Sequence, residues 1–284
     1  MSDEILVSVV MSLFNPDKPL LKKSIESLSN QSYTNIEIII IDDGMNAEDI
    51  FFLKSLIEGK ENFFVYKNIK NIGLTKSLNI AISKSNGELI ARNDADDISD
   101  KNRIEKQVNY FKKNKEVGVL GTWYSVFNDN NNDNDNERKY EYRYSNDHNI
   151  LLEMLFERNP FCHSSVMIKK DILKKLGGYN PKYKVSQDLD LWFRISKNYS
   201  LNILQENLVE RYLSKKSISM SSKRWMQLFN SLFIRLNYVS ISEKTIVSIY
   251  KIFKTFFKGV ILNISPSLTH RLKKLYRIYL KTDR

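Results

Sequence analysis

The feature that most constrains this chain is the alternation, through its first ninety or so residues, of short β-branched runs with stretches of helical periodicity. Residues 5–11 form an apolar, Val-containing run that stops before Asn15-Pro16, which predicts a buried strand ending in a turn. Leu20, Leu21, Ile25 and Leu28 then recur at helical spacing across 19–30. A second buried strand is predicted at 36–41, closed by Asp42-Asp43-Gly44, with a helix at 47–58. A third strand at 63–66, a helix at 75–85 with Leu78, Ala81 and Ile82 on one side, and a fourth strand at 88–91 complete the series. Such alternation predicts an α/β fold: a doubly wound, mostly parallel sheet flanked by helices, with its ligand beyond the carboxyl ends of the strands. Asp42, Asp43, Asp94 and Asp96 all fall at such ends.

At 284 residues, with 42% hydrophobic and 27% charged residues, the chain can bury a core of its own, and disorder throughout is excluded. Cys162 has no cysteine partner for a disulfide or a metal site, so it is expected to be a small buried residue in a reducing compartment. The start is acidic and no basic residue precedes the first apolar run, which argues against a secretory signal and for a cytoplasmic protein. The polar tract 128–136 is expected to be a surface loop; it lacks the glycine and terminal glutamate of a calcium loop.

Charge divides the chain. From 221 onward there are thirteen Lys or Arg and two acids, which accounts for the whole net charge of +11 and leaves 1–220 neutral. We therefore expect a domain at 1–220 and a basic, amphipathic helical extension at 221–284. Ile249, Ile252, Phe253, Phe256 and Val260 share one helical face, with Lys251, Lys254 and Lys258 on another. Leu268, Leu272, Leu275 and Tyr279 repeat the design against Lys274, Arg277 and Lys281. No apolar stretch approaches the ~20 residues that span a bilayer, so the expectation is a tail lying on an anionic membrane surface. The alternative is that its apolar faces pack on the first domain.

The densest chemical signal is Ala91-Arg92-Asn93-Asp94-Ala95-Asp96-Asp97. Crowded carboxylates repel one another, and a divalent cation offsets that repulsion while holding a diphosphate at its open positions. A capped, solvated turn leading into a helix at 102–111 is the plainer explanation of the same residues. Three further features point to a site. Asp42-Asp43-Gly44 offers carboxylates to a base or ribose, Asn71-Ile72-Gly73-Leu74 makes a tight turn before a helix whose amides suit an anion, and Gln187-Asp188-Leu189-Asp190-Leu191-Trp192 brings a third acidic segment.

Together these segments resemble a bacterial member of glycosyltransferase family 2, of the surface-polysaccharide type, with the GT-A fold. The likeness runs from Val7 to about Ser219 and also takes in Ser27 to Gln31 with Tyr33, Asn71 to Asn79, Gly87 to Ser99 and Gly177-Gly178-Tyr179. The resemblance implies that Ser12 and Phe14 lie beside the nucleotide base and that Asp42 and Asp43 contact uracil. It implies that Asp94 turns toward the ribose, Asp96 binds Mg²⁺ or Mn²⁺, and Arg92 approaches the phosphates. Asp188 matches the general base of inverting members, and His163 lies in a segment like the acceptor-side wall. Without the resemblance, Asp188 could equally cap the helix through Trp192 and Ile195; Asp190 reads as a supporting group and Trp192 as core. The implied reaction moves a sugar from a nucleotide-linked donor, UDP-linked by expectation, to a glycan or lipid-linked acceptor in capsule, lipopolysaccharide or other surface-polysaccharide synthesis. The implied location is the inner face of the cytoplasmic membrane.

Departures from the family pattern are Gln187, where Glu is common before the base, and Tyr212 and Ser214, where Arg and His commonly precede the final Ser-Ile-Ser. A catalytically inactive membrane scaffold is the alternative these departures raise. A dehydrogenase is excluded by the absence of a G-x-G-x-x-G turn, and a phosphatase by the lack of Thr or Val after an early paired aspartate. Nucleic-acid binding would use the basic tail but leaves all three acidic sites unexplained, so no nucleic-acid partner is expected.

Overall fold

The computed structural model describes residues 4–128, 138–213 and 223–264. The alternation in the sequence becomes β1 (Val7–Leu13), α1 (Lys18–Ser29), β2 (Ile36–Asp42), α2 (Ala47–Ile57), β3 (Phe63–Lys67), α3 (Leu74–Lys84) and β4 (Leu89–Arg92). Every element expected in this stretch is present, with ends displaced by no more than two residues. Asp17 starts α1 by accepting from the Leu20 amide at 3.2 Å, and Asn46 starts α2 by accepting from the Asp49 amide at 2.9 Å. Each side chain satisfies a donor that the first helical turn would otherwise leave unpaired.

β1 lies between β2 and β4, with β3 outside β2, and all three pairings are parallel. All seven residues of β2 are buried, the signature of a strand covered on both faces. Alternation along the strands feeds two cores. Val10, Ile39 and Ile41 join Leu78, Ala81 and Ile82 of α3, while Val9, Met11, Ile38 and Ile40 join Leu21, Ile25 and Leu28 of α1.

Beyond Arg92 the chain continues through β5 (Asp97–Ser99), α4 (Arg103–Lys113), β6 (Val117–Asn128), β7 (Arg138–Tyr142), α5 (His148–Leu155), β8 (Met167–Lys169), α6 (Lys170–Leu176), α7 (Gln187–Ser196) and β9 (Ser200–Leu213). Among the described residues these complete a mixed nine-stranded sheet of order β3-β2-β1-β4-β8-β6-β9-β5, with β7 paired to β6. β8 is antiparallel to β4 and to β6, and β9 runs parallel to β6 over most of its length. β5 folds back antiparallel on β9, which sets Asp97 opposite Arg211 at the carboxyl end of β4. Cys162 and Trp192 are buried, as their sequence setting implies.

Two further helices follow, α8 (Arg224–Tyr238) and α9 (Thr245–Ile264). One face of each packs on the rest of the chain: Ile234 and Ile252 are buried in the same core as Trp192 and Phe193. Tyr238 stacks on Phe193 with ring centroids 5.1 Å apart, and Arg235 Nε donates to the Leu155 carbonyl at 2.7 Å, satisfying the end of α5. Among the described residues no helix is long and apolar enough to cross a membrane. The Asn-rich tract from 129, Ser214, Ser219 and the Leu268–Tyr279 repeat lie outside the described residues.

Candidate active site

The acidic turn after β4 is fixed from beneath by neutral and cationic groups. Asn93, fully buried, donates to Ser24 Oγ at 3.0 Å, to the Asp94 carbonyl at 2.9 Å and to the Asp97 carbonyl at 3.2 Å. Arg103, also fully buried, donates to Asn93 Oδ1 at 3.0 Å, Ser99 Oγ at 2.7 Å and the Arg92 carbonyl at 2.7 Å. Burial pushes the Arg103 guanidinium down to about 10, so it stays charged near neutrality, solvated by these oxygens in place of water.

On this base the three aspartates separate. Burial alone would raise the Asp94 carboxyl, but Arg92, then His163 and Ser164, hold it below the ordinary carboxylate range. The Arg92 guanidinium is buried and pairs directly with Asp94 Oδ1. Its charge is directed at the Asp94 carboxylate. Asp96 is partly exposed, and burial together with the Asp94 charge pushes it up to about 6. Asp97, buried, is pushed up to about 8 by the same two causes in the same order.

Ser164 links two of the three. Its hydroxyl lies 2.9 Å from Asp94 Oδ2 and in close contact with Asp97 Oδ2, while it accepts from the Asp94 amide at 3.1 Å. A hydroxyl has one proton, so it cannot donate to both carboxylates. A protonated Asp97 that donates to Ser164, which in turn donates to ionised Asp94, satisfies every contact and agrees with the opposite directions in which the two acids are shifted. Arg211, half-buried on β9, lies in the field of Asp94, Asp96 and Asp97 and offsets part of their repulsion.

Asp42 and Asp43 are both buried at the end of β2. Asp42 Oδ1 accepts from the Gly44 amide at 3.0 Å and the Met45 amide at 2.7 Å. Asp43 takes Asn68 Nδ2 and the Ile72 amide on Oδ1, and the Gly73 amide on Oδ2, each at 2.9 Å. Asp43 thus ties the Asn71-Ile72-Gly73 turn to the sheet. Gly44 has φ +90°, and a Cβ there would lie 2.9 Å from the Asn71 amide nitrogen, so the close approach of the two loops depends on its bare backbone. Ser12 is half-buried, and Phe14, 58% exposed, stands at the open end of β1.

Asp188 lies in the first turn of α7 and does not cap it; the cap position belongs to Ser186, in left-handed backbone at φ +63°. Asn159 Nδ2 donates to Asp188 Oδ2 at 2.7 Å, and Asn159 Oδ1 is itself held by the Phe161 amide at 3.0 Å. His163 shares a hydrogen bond of 2.8 Å with the Tyr179 hydroxyl. Burial, then the Arg92 charge, push its ring down to about 4 against the pull of Asp94 and Asp188, so the ring is neutral near pH 7. His163 therefore sits in the fields of both acids and connects the Asp94 turn to the Asp188 side. Tyr179 is clamped by Asn79, which accepts from its amide at 2.8 Å and donates to its carbonyl at 2.7 Å. Gly178 makes room for this, since a Cβ there would lie 2.6 Å from Asn79 Oδ1. Asp190 is structural, paired with Arg194 Nε at 2.8 Å, and the buried Gln187 Oε1 atom has no hydrogen-bond partner among the described residues.

Asp96 and, beside it, Asp94 are the partly exposed carboxylates that a cation could reach, whereas Asp97 is buried and taken by Ser164 and the Tyr212 amide. Among the described residues no group of three or more His, Cys, Asp or Glu forms a ready cage. Mg²⁺ or Mn²⁺ held by one or two carboxylates and completed by phosphate oxygens and water needs none, so the donor set fits such an ion. Asn159, Ser164 and Arg211 are the functional candidates that the sequence left unmarked. Their partners lie 29, 67 and 70 positions away for the first two, beyond the reach of any local pattern.

Residues 8–177 match the family described as "Glycosyl transferase family 2". The O-antigen biosynthesis glycosyltransferase WbnJ of Escherichia coli is 35% identical over 221 residues, which is 77% of this chain and 82% of that protein. The UDP-Gal:alpha-D-GlcNAc-diphosphoundecaprenol beta-1,3-galactosyltransferase of Escherichia coli is 29% identical over 269 residues, 89% of this chain and 94% of that one. Among solved structures, the mannosyltransferase PcManGT of Pyrobaculum calidifontis, in complex with GDP-Man and Mn²⁺, superposes with a TM-score of 0.64 at 12% identity, covering 98% of this chain and 81% of that one. The GT-A sheet is thus shared far beyond recognisable sequence identity, and this chain, matched by the family over residues 8–177, belongs to glycosyl transferase family 2 and is a glycosyltransferase.

Proposed function

We propose that this glycosyltransferase moves a hexosyl or N-acetylhexosaminyl group from a UDP-linked donor to a hydroxyl of a lipid-linked or growing glycan, with inversion, in bacterial surface-polysaccharide synthesis. The observation that carries the reading is the pairing of a diphosphate-type acidic turn, Asp94 to Asp96, with Asp188 on the other side of neutral His163. The names of the two Escherichia coli relatives, one in O-antigen synthesis and one using UDP-Gal with a diphosphoundecaprenol acceptor, support the donor and acceptor classes.

In this reading the base stacks on exposed Phe14 beside Ser12, in a pocket whose wall Asp42 and Asp43 build through the amides they hold. Asp94 faces the ribose, and Arg211 adds positive charge on the phosphate side. Asp188 takes the proton from the acceptor hydroxyl as that oxygen bonds to the anomeric carbon. The bond from that carbon to the diphosphate breaks and its electron pair leaves with the nucleoside diphosphate. Asn159 keeps Oδ2 occupied, so Oδ1 is the oxygen that receives the proton. An Mg²⁺ or Mn²⁺ ion on Asp96, with Asp94, supplies neutralising charge for the leaving diphosphate when bound. His163, held by Tyr179, lines the acceptor side. The location that suits such a donor and acceptor is the cytoplasmic face of the membrane.

The test is consumption of a panel of nucleotide sugars by the purified full chain with Mn²⁺, with Mg²⁺ and with chelator. A UDP-hexose or UDP-N-acetylhexosamine is expected to be consumed only with metal. Failure of every UDP-sugar, together with no UDP binding by calorimetry, would overturn the reading.

A further inference from the structure

Among the described residues, the faces of α8 and α9 that do not pack on the other elements are apolar. On α8 these are Trp225, Met226, Phe229 and Phe233, all at least 41% exposed. On α9, Ile246, Tyr250, Phe253, Phe257 and Ile261 follow one another at intervals of three or four residues, and all are at least 41% exposed. The two sets are one surface. Trp225 meets Phe229 with centroids 6.2 Å apart, Phe229 meets Phe256 at 5.7 Å, and Phe256 meets Phe257 at 5.8 Å. Gly259 lets the helices close, since a Cβ there would lie 2.5 Å from Leu228 Cδ1.

α9 has three faces. Ser248 and Ile252 are buried, the aromatic row faces outward, and exposed Lys254 and Lys258 run along the side, with half-buried Lys251 paired to Glu153 at 3.3 Å. From 221 onward Glu243 and Asp283 are the only acids in the sequence. An extended apolar surface with a cationic border matches the boundary between acyl chains and anionic headgroups. A nucleic acid would call for cations at the centre of the surface, where this one has rings. A second copy of the chain would bring two lysine rows together.

We infer that the outer face of the α8–α9 hairpin is the surface on which this protein lies on an anionic lipid membrane, with the aromatic row buried at the headgroup boundary. The surface itself is argued from the two helices alone; only its purpose rests on the proposed lipid-linked acceptor. α8 also touches the turn that presents Asp188: Asn230 Nδ2 donates to the Val185 carbonyl at 3.0 Å, and Ser186 Oγ lies 3.4 Å from Ser231 Oγ. A membrane on the outer side of α8 is therefore separated from that turn by about one helix diameter, roughly 10 Å, which suits an acceptor anchored in the same membrane.

The test is cosedimentation of the full chain with phosphatidylcholine vesicles, with and without phosphatidylglycerol. Expected are pelleting with the anionic vesicles, release at high salt, and a blue shift of Trp225 emission on binding. The double variant F253S/F257S should lose at least tenfold in partitioning, and so should I246S/Y250S, whose side chains are 84% and 64% exposed. Both variants should bind UDP in solution as the parent does, which reports on the donor site independently of the membrane. Wild-type protein that stays in the supernatant, variants that pellet as the parent does, or a dimer that these substitutions dissociate in place of vesicle binding would each overturn the inference.

Discussion

Asn159 donates its side-chain amide to Oδ2 of Asp188 at 2.7 Å, which in the proposed reaction leaves Oδ1 to face an incoming hydroxyl. The contact is a charge-assisted hydrogen bond and orients the carboxylate as well as binding it. Asn159→Ala is expected to lower kcat by about tenfold while leaving the KM for the donor unchanged. Steady-state kinetics with both substrates varied decides this; a rise in donor KM with unchanged kcat would move Asn159 out of the acceptor side.

The proton that Ser164 cannot supply twice leads to a prediction for stability. Burial, then Asp94, raise the Asp97 carboxyl to about 8, above the ordinary value of 3.8. A raised carboxyl stabilises the native state fully below its unfolded value and loses that contribution as pH climbs through its folded value. The loss therefore accumulates between about pH 4 and pH 8. Asp97→Asn, neutral throughout and able to donate to Ser164, should show no such loss. Its melting temperature should gain on the parent's over this range, by about 2–4 °C per kcal/mol recovered. A difference independent of pH would mean that Asp97 is ionised in the native protein.

Asp43 holds three donors, two of them backbone amides of the 72–73 turn. Asp43→Ala leaves those amides unpaired inside a buried site, at a cost of about 2–4 kcal/mol. Nucleoside-diphosphate affinity should drop about tenfold, about 1.4 kcal/mol, as the turn loosens. Urea unfolding and calorimetry measure the two effects, and Asp43→Asn, which keeps one acceptor oxygen, should show a smaller change in both.

Asp96 stands between a proton and a cation. With burial and the Asp94 charge raising it to about 6, protonation competes with metal binding just below neutrality. Mn²⁺ affinity in the presence of UDP is expected to fall as pH drops below about 6, by up to about tenfold per pH unit. Asp96→Ala should abolish metal-dependent transfer and weaken UDP binding. Unchanged turnover in that variant would place the metal elsewhere.

How far the sequence can be read depends on how far apart the interacting residues are. β1 to β4 are short, largely apolar runs between helices of plain periodicity, so Asp42, Asp43, Asp94 and Asp96 can be placed at strand ends from local pattern alone. β6 and β9, which run twelve and fourteen residues with bulged registers between them, carry no comparable period, and the antiparallel half of the sheet was not legible. The family motifs mark Asp188 but not Asn159, and Asp94 and Asp96 but not Ser164, which bridges Asp94 to Asp97. The family motifs mark Asp42, Asp43 and Arg92 as ligand contacts; what they do not reveal is that the two carboxylates hold backbone amides and that the Arg92 guanidinium pairs with Asp94. A carboxylate at a strand end suits either use, and only the folded chain shows which donors reach it. Tyr212 and Ser214 stand out as departures, yet the cation that joins Arg92 in the field of the acidic turn is Arg211, one position before Tyr212, on the pairing register of Asp97.

The central claim, that Asp188 is the base of a sugar-transfer reaction whose donor is held elsewhere, is tested most directly by Asp188→Asn. Asparagine keeps the shape of the side chain and a contact for Asn159 but cannot take the proton. Turnover of a UDP-sugar onto acceptor should fall by roughly 10²-fold or more, while UDP affinity measured by calorimetry with Mn²⁺ stays within about twofold of the parent's, under half a kcal/mol. Turnover within a few-fold of the parent's, or a collapse of UDP affinity along with the rate, would contradict the claim.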